Sequence, residues 1–160
     1  MSESKSAYLR AVAMLAKRAH SSFELRRKLK SRHSPDEIEE ALSKLVRQGF
    51  LDDAQFALQR ARLCRLDKAW GDRRIKLDLQ SHKIGGAAIA KALAAAESEQ
   101  GESQALQRIV DNWLRLRGRP ETARELKKLY DRCLRMGHRP ARIRACLDPY
   151  FSRLEWDPEA

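Results

Sequence analysis

Proline, glycine and β-branched residues are scarce in this chain. Its 160 residues hold five prolines, seven glycines, three valines (Val12, Val46, Val110) and one threonine, Thr122. That poverty excludes a sheet-rich fold, which needs β-branched side chains on its pleated faces, and a turn-rich one. The three cysteines, Cys64, Cys133 and Cys146, form no CxxC and leave an odd number, so a disulfide scaffold is excluded and reduced core thiols are expected. The four histidines (His20, His33, His82, His138) lie far apart, without zinc-ligand spacing. There is no phosphate-cradling glycine loop and no nucleophile–base pair. The expectation is a non-enzymatic protein with no catalytic residue, no metal and no cofactor. The longest apolar stretch, Ala87–Ala96, is interrupted by Lys91 and too short for a bilayer, and the N-terminus shows no hydrophobic signal. A cytoplasmic monomer with no membrane contact is expected.

What is present is Ala, Leu, Arg, Lys, Glu and Gln, whose side chains lose little freedom in a helix, so the chain reads as all-α. The formal net charge is +11. Such an excess favours a polyanion, either nucleic acid or an acidic protein surface. It is uneven: between Arg108 and Arg144 twelve bases face four acids, and Arg far outnumbers Lys, as bidentate phosphate or carboxylate contacts would require.

Helix signals follow one another closely. A first helix is expected from about Ser6 to Ala19. Ser21 followed by Glu24 is a capping box, and Ser34-Pro35-Asp36-Glu37 offers an N-cap serine, a proline at the first helical position and a reciprocal glutamate. The third helix stops at Gly49, and Asp52 with Asp53 opens the next as a cap rather than as a catalytic acid pair. Gly71 starts a fifth helix and Gly85-Gly86 precede a sixth. The polar run Glu97–Glu102 is expected to be a loop. A helix through Leu106–Leu116, a turn at Gly118-Arg119-Pro120 and a helix through Leu126–Leu134 follow. The last helix starts at Pro140 and is expected to end at Pro149, leaving a frayed tail.

The inward positions repeat. Leu25, Leu29, Ile38 and Leu42 match Ile75, Leu79, Ile89 and Leu93, and then Tyr130, Leu134, Ile143 and Leu147. A unit this small cannot bury its apolar face alone, so neighbours must stack into an array. The repeats are placed at 1–50, 51–98 and 99–149, with 150–160 as a C-terminal tail.

Four segments resemble the signatures of the RecX family, regulators of the RecA recombinase. Ser22–Leu29 (SFELRRKL) is similar to the first, Gly49–Ala57 (GFLDDAQFA) to the second and Ala69–Ile84 (AWGDRRIKLDLQSHKI) to the third. Arg135–His138 (RMGH) is similar to the fourth, with His138 standing where the family usually has an aromatic or apolar residue. The Arg115–Thr122 loop is longer and more basic than the family's usual one. The resemblance implies three tandem three-helix repeats in an elongated, curved array. It also implies modulation, in the inhibitory direction, of RecA: binding in the groove of the RecA–single-stranded DNA filament, slowing ATP hydrolysis and strand exchange, and limiting filament growth in recombination, DNA repair and the SOS response.

The candidate contacts to RecA or DNA are bases on the second helix of each repeat: Arg26, Arg27 and Lys28; Arg73, Arg74 and Lys76; Lys127, Lys128, Arg132 and Arg135. They sit beside the inward positions and are expected to face out, although pairing such as Glu24 with Lys28 would explain some of them. Trp70 is expected to wedge between units, Trp113 to lie on the core stripe and Trp156 to be exposed. The alternative is a helix-turn-helix-like transcriptional regulator; only the helix carrying Arg142 and Arg144 has bases suited to reading a groove.

Overall fold

The computed structural model describes residues 6–158. Among these, nine helices and no strand are present: α1 Ala7–Lys17, α2 Ser22–Leu29, α3 Pro35–Arg47, α4 Asp53–Lys68, α5 Asp72–Ser81, α6 Gly86–Glu99, α7 Glu102–Arg117, α8 Ala123–Arg135 and α9 Pro140–Leu154. The starts of α2 and α3 carry both halves of a capping box: Ser21 and Ser34 accept from the N–H of Glu24 and Glu37, whose carboxylates accept from the serine N–H groups. The acid pair divides its labour. Asp52 caps α4, accepting from Ala54 and Gln55 N–H at 2.9 and 3.1 Å, whereas Asp53 reaches back 2.7 Å to the N–H of Ser22 and ties α2 to α4.

Three apolar cores lie along the chain. The first joins Ala11, Leu25, Leu29, Ile38, Leu42, Leu45 and Leu51. The second centres on Phe56, Ala61, Ile75, Leu79, Ile89 and Ala92, and the third on Leu106, Val110, Leu126, Leu129, Ile143 and Leu147. The accessible surface is 10112 Å²; a compact monomer of this mass would show about 8,200 Å². Separate cores and excess surface describe an extended array rather than a single ball.

Four expectations need correction. The polar run at 97–102 is mostly helix: α6 continues to Glu99 and α7 begins at Glu102. Glu97 accepts from the N–H of Glu102 at 2.8 Å and Glu99 pairs with Arg62 at 2.5 Å, so these acids cap and decorate helices. Pro149 does not end α9 but lies inside it. Its missing N–H is outweighed by packing of the following turn, where Phe151 and Trp156 close an aromatic cluster on Tyr130 with ring centroids 5.3–6.2 Å apart. Trp156 is therefore half-buried, not exposed. In the third repeat the inward face is wider than the pattern suggested: Leu129, Tyr130 and Cys133 are all buried, while Leu134 is only partly so.

Candidate interaction surface

The second helices α2, α5 and α8 follow one another nose to tail. At the α8–α5 step the carbonyl of Met136 accepts from the N–H of Gly71 at 2.8 Å, and that of Gly137 from Arg73 at 3.3 Å. The carbonyl end of α8 thus satisfies two of the open N–H groups at the start of α5. This approach has no room for a side chain: a Cβ on Gly71 would lie 2.4 Å from the carbonyl of Gly137, and one on Gly137 would lie 2.4 Å from the Cβ of Arg74. Gly137 also has φ +90°, a conformation open to glycine. At the α5–α2 step, His82 lies 3.9 Å from Glu24 and Lys83 sits over the ring of Phe23.

A buried polar cluster locks the α5–α8 step from behind. His138, fully buried, donates from Nε2 to the carbonyl of Ala69 at 2.9 Å, and its Nδ1 lies 3.4 Å from Glu102 Oε1. Arg142 Nε is 3.3 Å from the other carboxylate oxygen. Burial opposes the charge on Glu102, but His138, Arg142 and Arg65 outweigh it and hold the carboxyl below its usual value. Arg65, fully buried on α4, pairs with Asp72 at the start of α5. Sequence reading missed this cluster because Arg65 and Arg142 look like surface bases; the departure at His138 was the available signal.

The candidate bases have unequal roles. Arg27, Lys28, Arg73, Lys76, Lys127, Lys128, Arg132 and Arg135 are exposed. So is Arg26, but Glu39 holds it in a two-pronged pair at 2.5 and 3.0 Å. Lys127 pairs with Asp131 at 2.8 Å. Arg74 does not face out: half-buried, it donates to the carbonyl of Arg135 at 3.0 Å and stacks on Trp70 with 4.3 Å to the ring centroid. It is a junction residue, drawn in because Trp70 offers an aromatic face and α8 an open carbonyl. Lys28 does not pair with Glu24; its ammonium meets His20 Nε2 at 3.3 Å, while Glu24 takes Arg18 at 3.1 Å. Among the described residues no carboxylate pairs with Arg27, Arg73, Lys76, Lys128, Arg132 or Arg135. These six are spread over all three second helices.

Trp70 packs on the second core under Lys68 and Arg74, and Trp113 is half-buried with Arg117 over its ring. Burial pushes the Cys133 thiol up to about 12 and raises Cys64 and Cys146 as well, which leaves no ready nucleophile among them. Among the described residues no group of His, Cys, Asp and Glu is placed to hold a metal ion, and no helix is long and apolar enough to cross a membrane. On α9, Arg142 is engaged by Glu102 and Ser103, and Arg144 by Asp157, so both bases already have partners within the chain.

Residues 7–45 match the RecX family's first three-helix domain. The Regulatory protein RecX of Xanthomonas axonopodis pv. citri (strain 306) is 37% identical over 95 residues, covering 59% of this chain and 58% of that protein. That of Stenotrophomonas maltophilia (strain K279a) is 36% identical over a stretch of the same length. The match thus spans less than two thirds of these relatives' length. In fold, the chain is similar to a crystal structure of regulatory protein RecX, with a TM-score of 0.74, 24% identity, and coverage of 89% of this chain and 70% of that one. It is equally similar to RecX from Lactobacillus salivarius: TM-score 0.74, 19% identity, and coverage of 89% and 93%.

Proposed function

We infer that the chain is a member of the RecX family and that it modulates the RecA recombinase as an inhibitor. In this reading it lies in the groove of the RecA–single-stranded DNA filament, slows ATP hydrolysis and strand exchange, and limits filament growth during recombination, DNA repair and the SOS response. The observation that carries the reading is the nose-to-tail line of α2, α5 and α8, with bases unpaired by any carboxylate on each of the three. A long row of weak charge contacts, held at fixed spacing, can sum over successive protomers of a filament. The locked α5–α8 step keeps that spacing, so little ordering cost falls on binding. We take 1–50, 51–98 and 99–149 as the repeats that make up the row.

Co-sedimentation with RecA filaments on single-stranded DNA tests the surface. Arg73→Glu with Lys76→Glu reverses two exposed charges on α5 without touching the junction residue Arg74, and binding is expected to fall by about tenfold or more at low salt. Wild-type binding by this variant would remove α5 from the interface, and absence of any filament binding by the unaltered chain would remove the reading itself.

A further inference from the structure

The turn between α7 and α8 carries a feature that shares only Lys128 with the row of bases. Between Arg115 and Lys128 the sequence places six bases against two acids. Pro120 is buried and seats the turn, while Arg117, Gly118 and Arg119 just before it are exposed. Gly118, with φ +77°, reverses the chain so that Arg117, Arg119 and, from α8, Lys128 line one small hollow of about 70 Å³ together with Trp113 and Glu125. The Arg117 guanidinium sits over Trp113, 4.5 Å from the ring centroid, and Trp113 is itself packed against the third core. Glu125 also lines the hollow, and its carboxylate accepts from the N–H of Glu121 at 2.9 Å. Among the described residues Arg117, Arg119 and Lys128 have no carboxylate partner.

We propose that this hollow is a phosphodiester cradle that takes the backbone of single-stranded nucleic acid, with Arg117, Arg119 and Lys128 as the contacting residues and Trp113 as the positioning residue. A guanidinium stacked on a fixed ring keeps its N–H edges free and loses less freedom on meeting a phosphate than an unsupported one. The hollow is far smaller than pockets that enclose metabolites, so it suits a group presented edge-on by a chain. Three bases without a carboxylate partner around one small hollow suit a phosphate-bearing strand rather than the apolar core of a protein interface. The cradle rests on the RecX reading only for its setting, the DNA of the filament; its chemistry concerns free strands equally.

The test uses the full chain without RecA and follows anisotropy of a labelled oligothymidylate across a salt series. Arg117→Gln/Arg119→Gln/Lys128→Gln is expected to weaken binding by about tenfold or more at low salt and to flatten the log–log salt slope by about 2, the share of three single-strand phosphate contacts. An equal charge loss at exposed Lys17, Arg47 and Lys91, all changed to Gln, is expected to leave the slope near the wild-type value. Trp113→Ala is expected to lower affinity and Trp113→Phe to restore most of it, with circular dichroism confirming that both fold. Excess inorganic phosphate competing as well as the oligomer, residue for phosphate, would assign the hollow to a free anion and overturn the strand proposal. An unchanged slope in the triple variant, or no binding by the wild-type chain, would also overturn it, whatever the chain does to RecA. A triple variant that loses only its hold on RecA filaments would place an acidic protein surface there instead.

Discussion

Gly71→Ala isolates the α8–α5 junction. Gly71 has φ −76° and ψ 166°, a conformation that alanine adopts freely, so backbone strain contributes nothing. The added Cβ would meet the carbonyl carbon and oxygen of Gly137 at 2.4 Å and the amide nitrogen of His138 at 2.6 Å, all backbone atoms that cannot swing aside. The helices must separate, which stretches the Gly71–Met136 and Arg73–Gly137 hydrogen bonds and pulls His138 from Ala69. Each hydrogen bond contributes about 0.5–1.5 kcal/mol net, and a donor left buried and unpaired costs about 1–3 kcal/mol. The expected loss is therefore about 3–5 kcal/mol, a large part of the stability of a small protein. Gly86→Ala is the control: nothing lies within 4 Å of the new carbon and the site is helical, so a gain of about 0.4–1 kcal/mol is expected. Urea unfolding measures both, and hydrogen exchange at the Arg73 amide reads the junction directly. A Gly71→Ala protein within about 0.5 kcal/mol of the wild type would refute the close approach.

Three further outcomes follow from the same structure. Leu129→Ala is expected to cost about 2–5 kcal/mol and Leu134→Ala clearly less, because only Leu129 is fully buried; equal losses in denaturant titrations would contradict the register of the third repeat. His20 is held below its usual value of 6.5, first by burial and also by Arg18 and Lys28, against a smaller opposing pull from the Arg18 carbonyl and Glu24. The folded state then binds fewer protons than the unfolded one, so stability is fully present above about pH 6.5 and falls as pH drops below it; His20→Gln should flatten that limb of a stability–pH curve. Glu24 and Glu102 also lie below their usual value, so their contributions are lost at lower pH, under about 4.5. Burial pushes Cys133 to about 12, so in the native protein at about pH 8 a thiol reagent should leave Cys133 and the buried Cys64 unmodified until urea unfolds the chain; prompt labelling of either would contradict the packing.

Local chemistry made much of the fold readable. Capping boxes at Ser21 and Ser34 announce helix starts because their partners lie within four residues, and the inward leucines of the first repeat announce a core by spacing alone. Errors arose where distant residues override local preference. Pro149 should stop a helix, yet Phe151 and Trp156 find Tyr130 across the third repeat and hold the next turn. In α8 the buried face takes Leu129, Tyr130 and Cys133 together, so that Leu134, four residues after Tyr130, falls at its edge. The candidate surface shows the same division. Exposure of Lys76 and Arg135 follows from helix periodicity, but the capture of Arg74 by Trp70 and the burial of Arg65 depend on how repeats meet. The nose-to-tail order of α2, α5 and α8 depends on contacts between segments about sixty residues apart, which no local pattern reports.

The central claim, that this array acts on RecA, is tested most directly by titrating the chain into RecA assembled on single-stranded DNA and following ATP hydrolysis. Turnover is expected to fall as the chain approaches stoichiometry with the filament, and to fall less for the Arg73→Glu/Lys76→Glu variant. Turnover that stays unchanged with the unaltered chain in excess would contradict the account.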